Sequence, residues 1–359
     1  MPTNLPFITS PDDPHWEALF KVLHAGWPAL DNPQAWPREQ LVALGRSGVY
    51  AWFVPQEYGG QGWAEADLLR GLVKLAKACL TTTFILTQRV AAVSRIATCD
   101  NDALKQQLLP VLLTADTFAT VGISHLTTSR RHMATPVLQA EALESGYVLN
   151  GYSPWVTGAD HAQTIVVGAT LADEQQLLAA IDTQTPGVAA MPPEALVALG
   201  ASHTGRVEFH DVFVPGERLL QDPMRHVLTQ GVARTGGSQT SALAIGLADR
   251  ALEILEAEAA KREDLLEPAT ALRSEWQTLL NDMLELANNH PVCTNEQLRQ
   301  RANSLVLRTS QAALAASKGA GYVASHPAGR LCREALFFLV WSCPQPVTSA
   351  HLCELAGIE

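Results

Sequence analysis

Trp155-Val156-Thr157 is the stretch of this 359-residue chain whose residue types point most directly to chemistry. An indole offers a large flat contact to a planar ring, and a fixed hydroxyl two residues on can hydrogen-bond to such a ring and steer its electronics. The same residues also suit a ligand-free role, with the Trp capping a β core and the Thr starting a turn. Arg130, Arg131 and His132 offer a second chemistry, because a guanidinium fork matches phosphate oxygens. A solvated basic turn accounts for them equally well. Arg262 follows Glu258 by four residues, the spacing of an ion pair on a helix surface. Proton transfer needs a positioned acid or base. The residues weighed for it, Asp211, Glu334, His351 and Glu354, each read as structural or solvated. Cys343 follows the apolar flank Leu339-Val340-Trp341, a setting that keeps a thiol inert. The six cysteines show no C-x-x-C spacing and no His at metal-ligand spacing, so reduced thiols and no metal site are expected.

Groups of this kind act only when elements hold them, and the composition permits a large scaffold. At 359 residues and 47% hydrophobic, the chain exceeds the size at which a single core keeps growing, so two or three packed units are expected. Charged residues make up only 17%, which suggests that part of the surface is covered by other subunits and favours a homo-oligomer. A net charge of −11 leaves no basic footprint for a phosphate backbone, which argues against nucleic acid as a partner. The first residues carry neither a basic n-region nor an apolar h-region, and no stretch is long enough to span a bilayer; a cytoplasmic location is the expectation.

Hydrophobic periodicity divides the chain in three. Residues 1–116 read as helical, with three- and four-residue apolar spacing over 39–48, 64–78 and 103–113, broken by Pro55 and the glycines of 59–62. Residues 117–222 switch to a period of two and read as a β domain. Residues 223–359 return to the helical period and read as a bundle. Helix block, strand block and helix block without regular alternation argue for α+β segregation over a doubly wound sheet.

Four stretches, in order along the chain, resemble the acyl-CoA dehydrogenase superfamily. Val54-Pro55-Gln56-Glu57-Tyr58-Gly59-Gly60-Gln61-Gly62 is similar to its P-E-E-Y-G-G-x-G. Tyr147-Val148-Leu149-Asn150-Gly151-Tyr152-Ser153-Pro154-Trp155-Val156-Thr157 is similar to Y-x-L-N-G-x-K-x-W-I-T, departing at Ser153. A third, running from Gly200 through Ser202 and Thr204 to Asp211-Val212-Phe213-Val214-Pro215, resembles the family's S-x-T and D-V-x-V-P pattern. Gly319-Ala320-Gly321-Tyr322, then Arg330 and Arg333-Glu334-Ala335, complete the set. The resemblance implies an acyl-CoA dehydrogenase-like α+β fold: an N-terminal helical domain, a middle β domain and a C-terminal four-helix bundle, with FAD between the last two.

The resemblance also assigns roles. Trp155 would lie against the isoalloxazine ring, with Val156 beside it and Thr157 near the reactive nitrogen. Ile123, Ser124 and His125 would give backbone groups to the flavin's polar edge, with Arg131 where relatives place a pyrophosphate-binding Ser. Arg262 would reach the pyrophosphate in an adjacent subunit, although the Phe and Gly that normally follow are replaced by Leu265 and Leu266. The base is the gap: relatives carry a Glu after the R-D-A helix, and Ser342 stands there. The alternative family position, before an Arg opening the first bundle helix, holds Ala233 ahead of Arg234.

The leading expectation is therefore an FAD-dependent dehydrogenase of an acyl thioester on CoA or a carrier protein, with a possible electron-transfer partner and a homodimeric or homotetrameric assembly. A flavin-dependent monooxygenase or oxidase on the same fold is the alternative, because reduced flavin reacts with oxygen without a family Glu. A non-catalytic homologue that kept the fold is the third reading.

Overall fold

The computed structural model describes residues 5–127, 136–230, 238–341 and 343–358. Helices dominate the first hundred residues, including Trp16–Gly26, Arg38–Arg46, Glu65–Ala78, Leu80–Thr98 and Asp102–Leu112. Leu80–Thr98 is buried nearly all round, because it packs on the sheet as well as on its helical neighbours. The Gly-rich turn before Glu65 is a tightly wound connector. Gly59 and Gly62 take φ of 83° and 57°, and a Cβ on Gly60 would lie 1.9 Å from the Val54 carbonyl oxygen. That winding lays Trp63 flat on Trp52, with ring centroids 4.1 Å apart.

Eight strands follow among the described residues: β1 Ala119–Gly122, β2 Leu138–Leu143, β3 Gly146–Thr157, β4 Thr164–Thr170, β5 Gln176–Asp182, β6 Val188–Ala190, β7 Thr204–Pro215 and β8 Leu219–Met224. They form one sheet in the order β6-β7-β3-β2-β4-β5-β8, with β1 pairing parallel to β4. β4 is central and covered on both faces, which explains why it reads as an unbroken apolar run. Ile165, Val167 and Ala169 join the core shared with the helical bundle, while Val166 points to a second core with Ile96 and Leu108.

The last third is helical. Gln239–Ala259, Leu266–Ala287 and Asn295–Ala316 are long, and Pro327–Ala335 and Gln345–Ala356 are shorter. Thr294 and Gln297 form a reciprocal capping box that starts the third. Gly246 lets Gln239–Ala259 cross Glu65–Ala78 closely, since a Cβ there would sit 2.4 Å from the Val73 carbonyl oxygen. The N-terminal helices, one sheet face and the bundle therefore share a continuous core. Among the described residues no helix is long and apolar enough to cross a membrane.

Candidate functional site

The candidate site begins at the end of β3. This strand pairs antiparallel with β7, and the register slips between Ser153 and Val156, so the backbone bulges. Trp155 sits on the bulge with φ of 57°, a left-handed conformation that costs a non-glycine residue about 1–2 kcal/mol. Its indole is 44% exposed, unusual for so large an apolar ring next to a core strand. Strain and exposure thus coincide at one aromatic residue, and strained backbone concentrates where a ligand is held.

The neighbours of Trp155 turn inward. Val156 is fully buried, and Ser153 is buried against Gly122, where a Cβ would meet the Ser153 hydroxyl at 2.6 Å. Thr157 is also fully buried, and its hydroxyl lies 2.8 Å from that of Thr204, which lies 2.8 Å from that of Ser202. This three-hydroxyl relay joins β3 to the start of β7 and fixes the orientation of Thr157.

Ile123, Ser124 and His125 are brought against the same strand. The Ser124 hydroxyl donates to the Pro154 carbonyl at 3.0 Å, docking the short helix Ser124–Thr127 beside Trp155. Ile123 is buried, and a His125 ring nitrogen lies 2.8 Å from the Gly168 carbonyl oxygen, tying the segment to β4. The His125 side chain is thereby engaged structurally, which leaves backbone groups as the segment's means of holding a ligand. Arg131, with Arg130 and His132, lies outside the described residues.

Arg262 is held within its own bundle. Its guanidinium donates to the Ala316 carbonyl, closing the end of Asn295–Ala316, and reaches Glu258 at 3.5 Å, the i, i+4 pair that the spacing suggests. Ser342 and Ala233 also lie outside the described residues. Beside Ser342, Trp341 packs edge-on against Phe84, and its carbonyl accepts a 2.8 Å bond from Arg299. Burial pushes the Arg299 guanidinium down to about 10, and among the described residues no carboxylate pairs with it.

The other acids have structural employment. Glu334 is buried and bonded to Arg330 at 2.8 Å; burial raises its carboxyl despite that partner. Arg330 in turn lies over the Trp27 ring. Asp211 exchanges two hydrogen bonds with the Asn150 side chain, at 3.0 and 2.9 Å, across the β3–β7 bulge. Asp160, His161 and His203 form a cluster beyond Thr157 that sequence reading did not single out, since His161 and His203 are far apart in the chain and approach only across two loops. A cleft of about 560 Å³ opens elsewhere, in the N-terminal domain around Trp52, Pro55 and Trp63, and it belongs to the Gly-rich turn rather than to this site.

Fold and site together define a protein of helix–sheet–helix build with a strained, exposed aromatic at a strand end. Residues 21–116 match the family model described as acyl-CoA dehydrogenase, N-terminal domain. The Bacillus subtilis protein named "Probable acyl-CoA dehydrogenase YngJ" is 26% identical over 332 residues, 85% of this chain and 86% of that protein. A glutaryl-CoA dehydrogenase from Mycobacterium smegmatis in complex with FADH2 superposes with a TM-score of 0.82 at 16% identity, covering 97% of this chain and 96% of that one. KijD3 in complex with FMN and a dTDP-linked amino keto sugar superposes with a TM-score of 0.75 at 19% identity, covering 98% and 97%. Residues 21–116 thus carry an acyl-CoA dehydrogenase N-terminal domain, and the chain as a whole is similar to acyl-CoA dehydrogenases in sequence and in fold.

Proposed function

We propose that this chain is a flavin-dependent, acyl-CoA dehydrogenase-like oxidoreductase that binds FAD and oxidises an acyl thioester on CoA or a carrier protein. The observation that carries the reading is Trp155: an exposed indole held on a left-handed bulge, flanked by the Ser124 segment and the buried Thr157 hydroxyl. The residues fit a flavin. Trp155 gives a planar ring a face and Ser124 fixes the backbone of 123–125 against the same strand, while the buried Thr157, bonded to Thr204, supports the bulge from within. When bound, the cofactor supplies the two-electron acceptor that the side chains lack.

The protein's own part is to seat the thioester, exclude water and take a proton from the carbon next to the carbonyl, which requires a carboxylate or equivalent base within reach. Neither customary base position holds one, since Ser342 and Ala233 occupy them. This supports a second reading, a flavin-dependent monooxygenase or oxidase, in which no such base is needed. A non-catalytic homologue remains the third. Homo-oligomerisation and an electron-transfer partner belong to the leading proposal. Exposed Tyr322, Val340, Leu352 and Leu355 in the C-terminal helical region supply apolar surface for assembly.

Reconstitution with FAD or FMN, followed by anaerobic addition of a panel of acyl-CoAs, separates the readings. Bleaching of the bound flavin by an acyl-CoA supports the dehydrogenase. Fast aerobic reoxidation with an oxygenated product supports the monooxygenase. Failure to retain either flavin supports the non-catalytic form and overturns the proposal.

A further inference from the structure

We propose that Asp160, His161 and His203 bind a divalent metal ion of the zinc class, which clamps together the two loops that follow β3 and precede β7. The inference is independent of the flavin reading and rests on three donor atoms facing one point. The Asp160 carboxylate oxygen lies 2.9 Å from His203 Nδ1 and 3.5 Å from His161 Nε2, and the two ring nitrogens are 3.2 Å apart. Hydrogen bonds can also link these atoms, with the tautomers of the two imidazoles deciding which nitrogen donates. A cation at the centre satisfies all three donors at once.

The triangle also has the right size. Tetrahedral zinc with bonds of about 2.0–2.1 Å sets its ligand atoms roughly 3.3 Å apart, and the three separations bracket that value. A point about 2.05 Å from all three atoms lies roughly 0.9 Å off their plane, close to the height of a tetrahedral apex. Two imidazoles and one carboxylate suit zinc and its transition-metal neighbours, whereas magnesium and calcium prefer all-oxygen sets.

The donors are preorganised by backbone and packing. His203 has φ of 48°, and its carbonyl accepts a 3.0 Å bond from the Gly158 N–H, locking the two loops together. Gly158 is itself left-handed at 62°, and a Cβ there would lie 2.5 Å from Trp36. Trp36 stacks on the His161 ring at 4.2 Å between centroids and fixes its plane. Asp160 and His161 are about one-third exposed, giving an entry path and room for water as a fourth ligand. His203 Nε2 is buried with no partner among the described residues, and a missing outer hydrogen bond of this kind costs about 10–100-fold in metal affinity.

The test is calorimetric titration of Zn²⁺ into the chelator-treated full chain, with Co²⁺ absorption as a second readout. One ion per chain is expected, with a visible cobalt band of tetrahedral intensity. His203→Asn, which tolerates the left-handed backbone, and His161→Phe, which keeps a ring on Trp36, should each weaken binding by at least about 10-fold. Asp160→Ala, at an exposed turn, supplies a third variant if either of these fails to fold. Wild-type binding no tighter than that of the His161→Phe/His203→Asn double variant, or a weak octahedral cobalt spectrum, would overturn the site.

Discussion

The Thr157 hydroxyl lies 2.8 Å from that of Thr204, which makes a residue at the end of β3 and a residue at the start of β7 two links of one buried polar chain. Ser202 is the third link. The middle member is worth more than either end. Thr157→Val leaves Thr204 and Ser202 paired and should cost about 1 kcal/mol. Thr204→Val orphans both Thr157 and Ser202 and should cost roughly 2–3 kcal/mol. Chemical denaturation of the two variants measures the difference; equal losses would mean that the chain is not cooperative. If flavin binds here, Thr157→Val should also shift its absorption and potential.

Trp155 separates ligand binding from stability. Because the indole is 44% exposed, Trp155→Ala should lower flavin retention sharply while leaving the flavin-free protein close to wild-type stability. Trp155→Gly should lose flavin equally but be more stable than the Ala variant by about 1 kcal/mol, since glycine accepts φ of 57° without strain. Unchanged flavin occupancy in both variants would place the pocket elsewhere.

Strong acid should weaken the N-terminal segment. Asp13 accepts backbone bonds from Thr9 and His15, which hold its carboxyl at about 2 against an ordinary value of 3.8. A carboxylate more acidic when folded stabilises the native state above its unfolded value, and that contribution is lost as pH falls from about 4 toward 2. Asp13→Asn should flatten the stability curve over this window and leave its slope near neutrality unchanged. A titration of Tm against pH for both proteins checks the sign.

Ser342→Glu should create or raise acyl-CoA dehydrogenase activity, because it returns a carboxylate to the position where relatives carry their base. A positioned base contributes about 10²–10⁴-fold, a gain readable against a weak background. Ordinary acyl-CoA turnover by the wild type would show that a base exists elsewhere. A variant that binds FAD and acyl-CoA without flavin reduction would favour the monooxygenase or non-catalytic reading.

Much of the architecture was legible in the order of residues. A change of period from 3.6 to 2 and back is a local property of side-chain spacing, so the α+β class could be read without coordinates, and Gly59-Gly60-Gln61-Gly62 announced a turn because few other residues adopt its angles. The i, i+4 pairing of Arg330 with Glu334 is likewise set by helix geometry, whereas Glu258 meets Arg262 at 3.5 Å only because the chain turns back in an extended conformation past the helix end at Ala259. What the tertiary structure decided is how side chains are used. Trp155 and Thr157 share a face by simple alternation, yet the bulge at 153–156 turns one outward and buries the other. Asp160, His161 and His203 meet only because two left-handed residues, Gly158 and His203, fold separate loops onto Trp36. No spacing rule encodes a contact across 42 residues, since it depends on the path of the backbone between them and on the core that fixes that path.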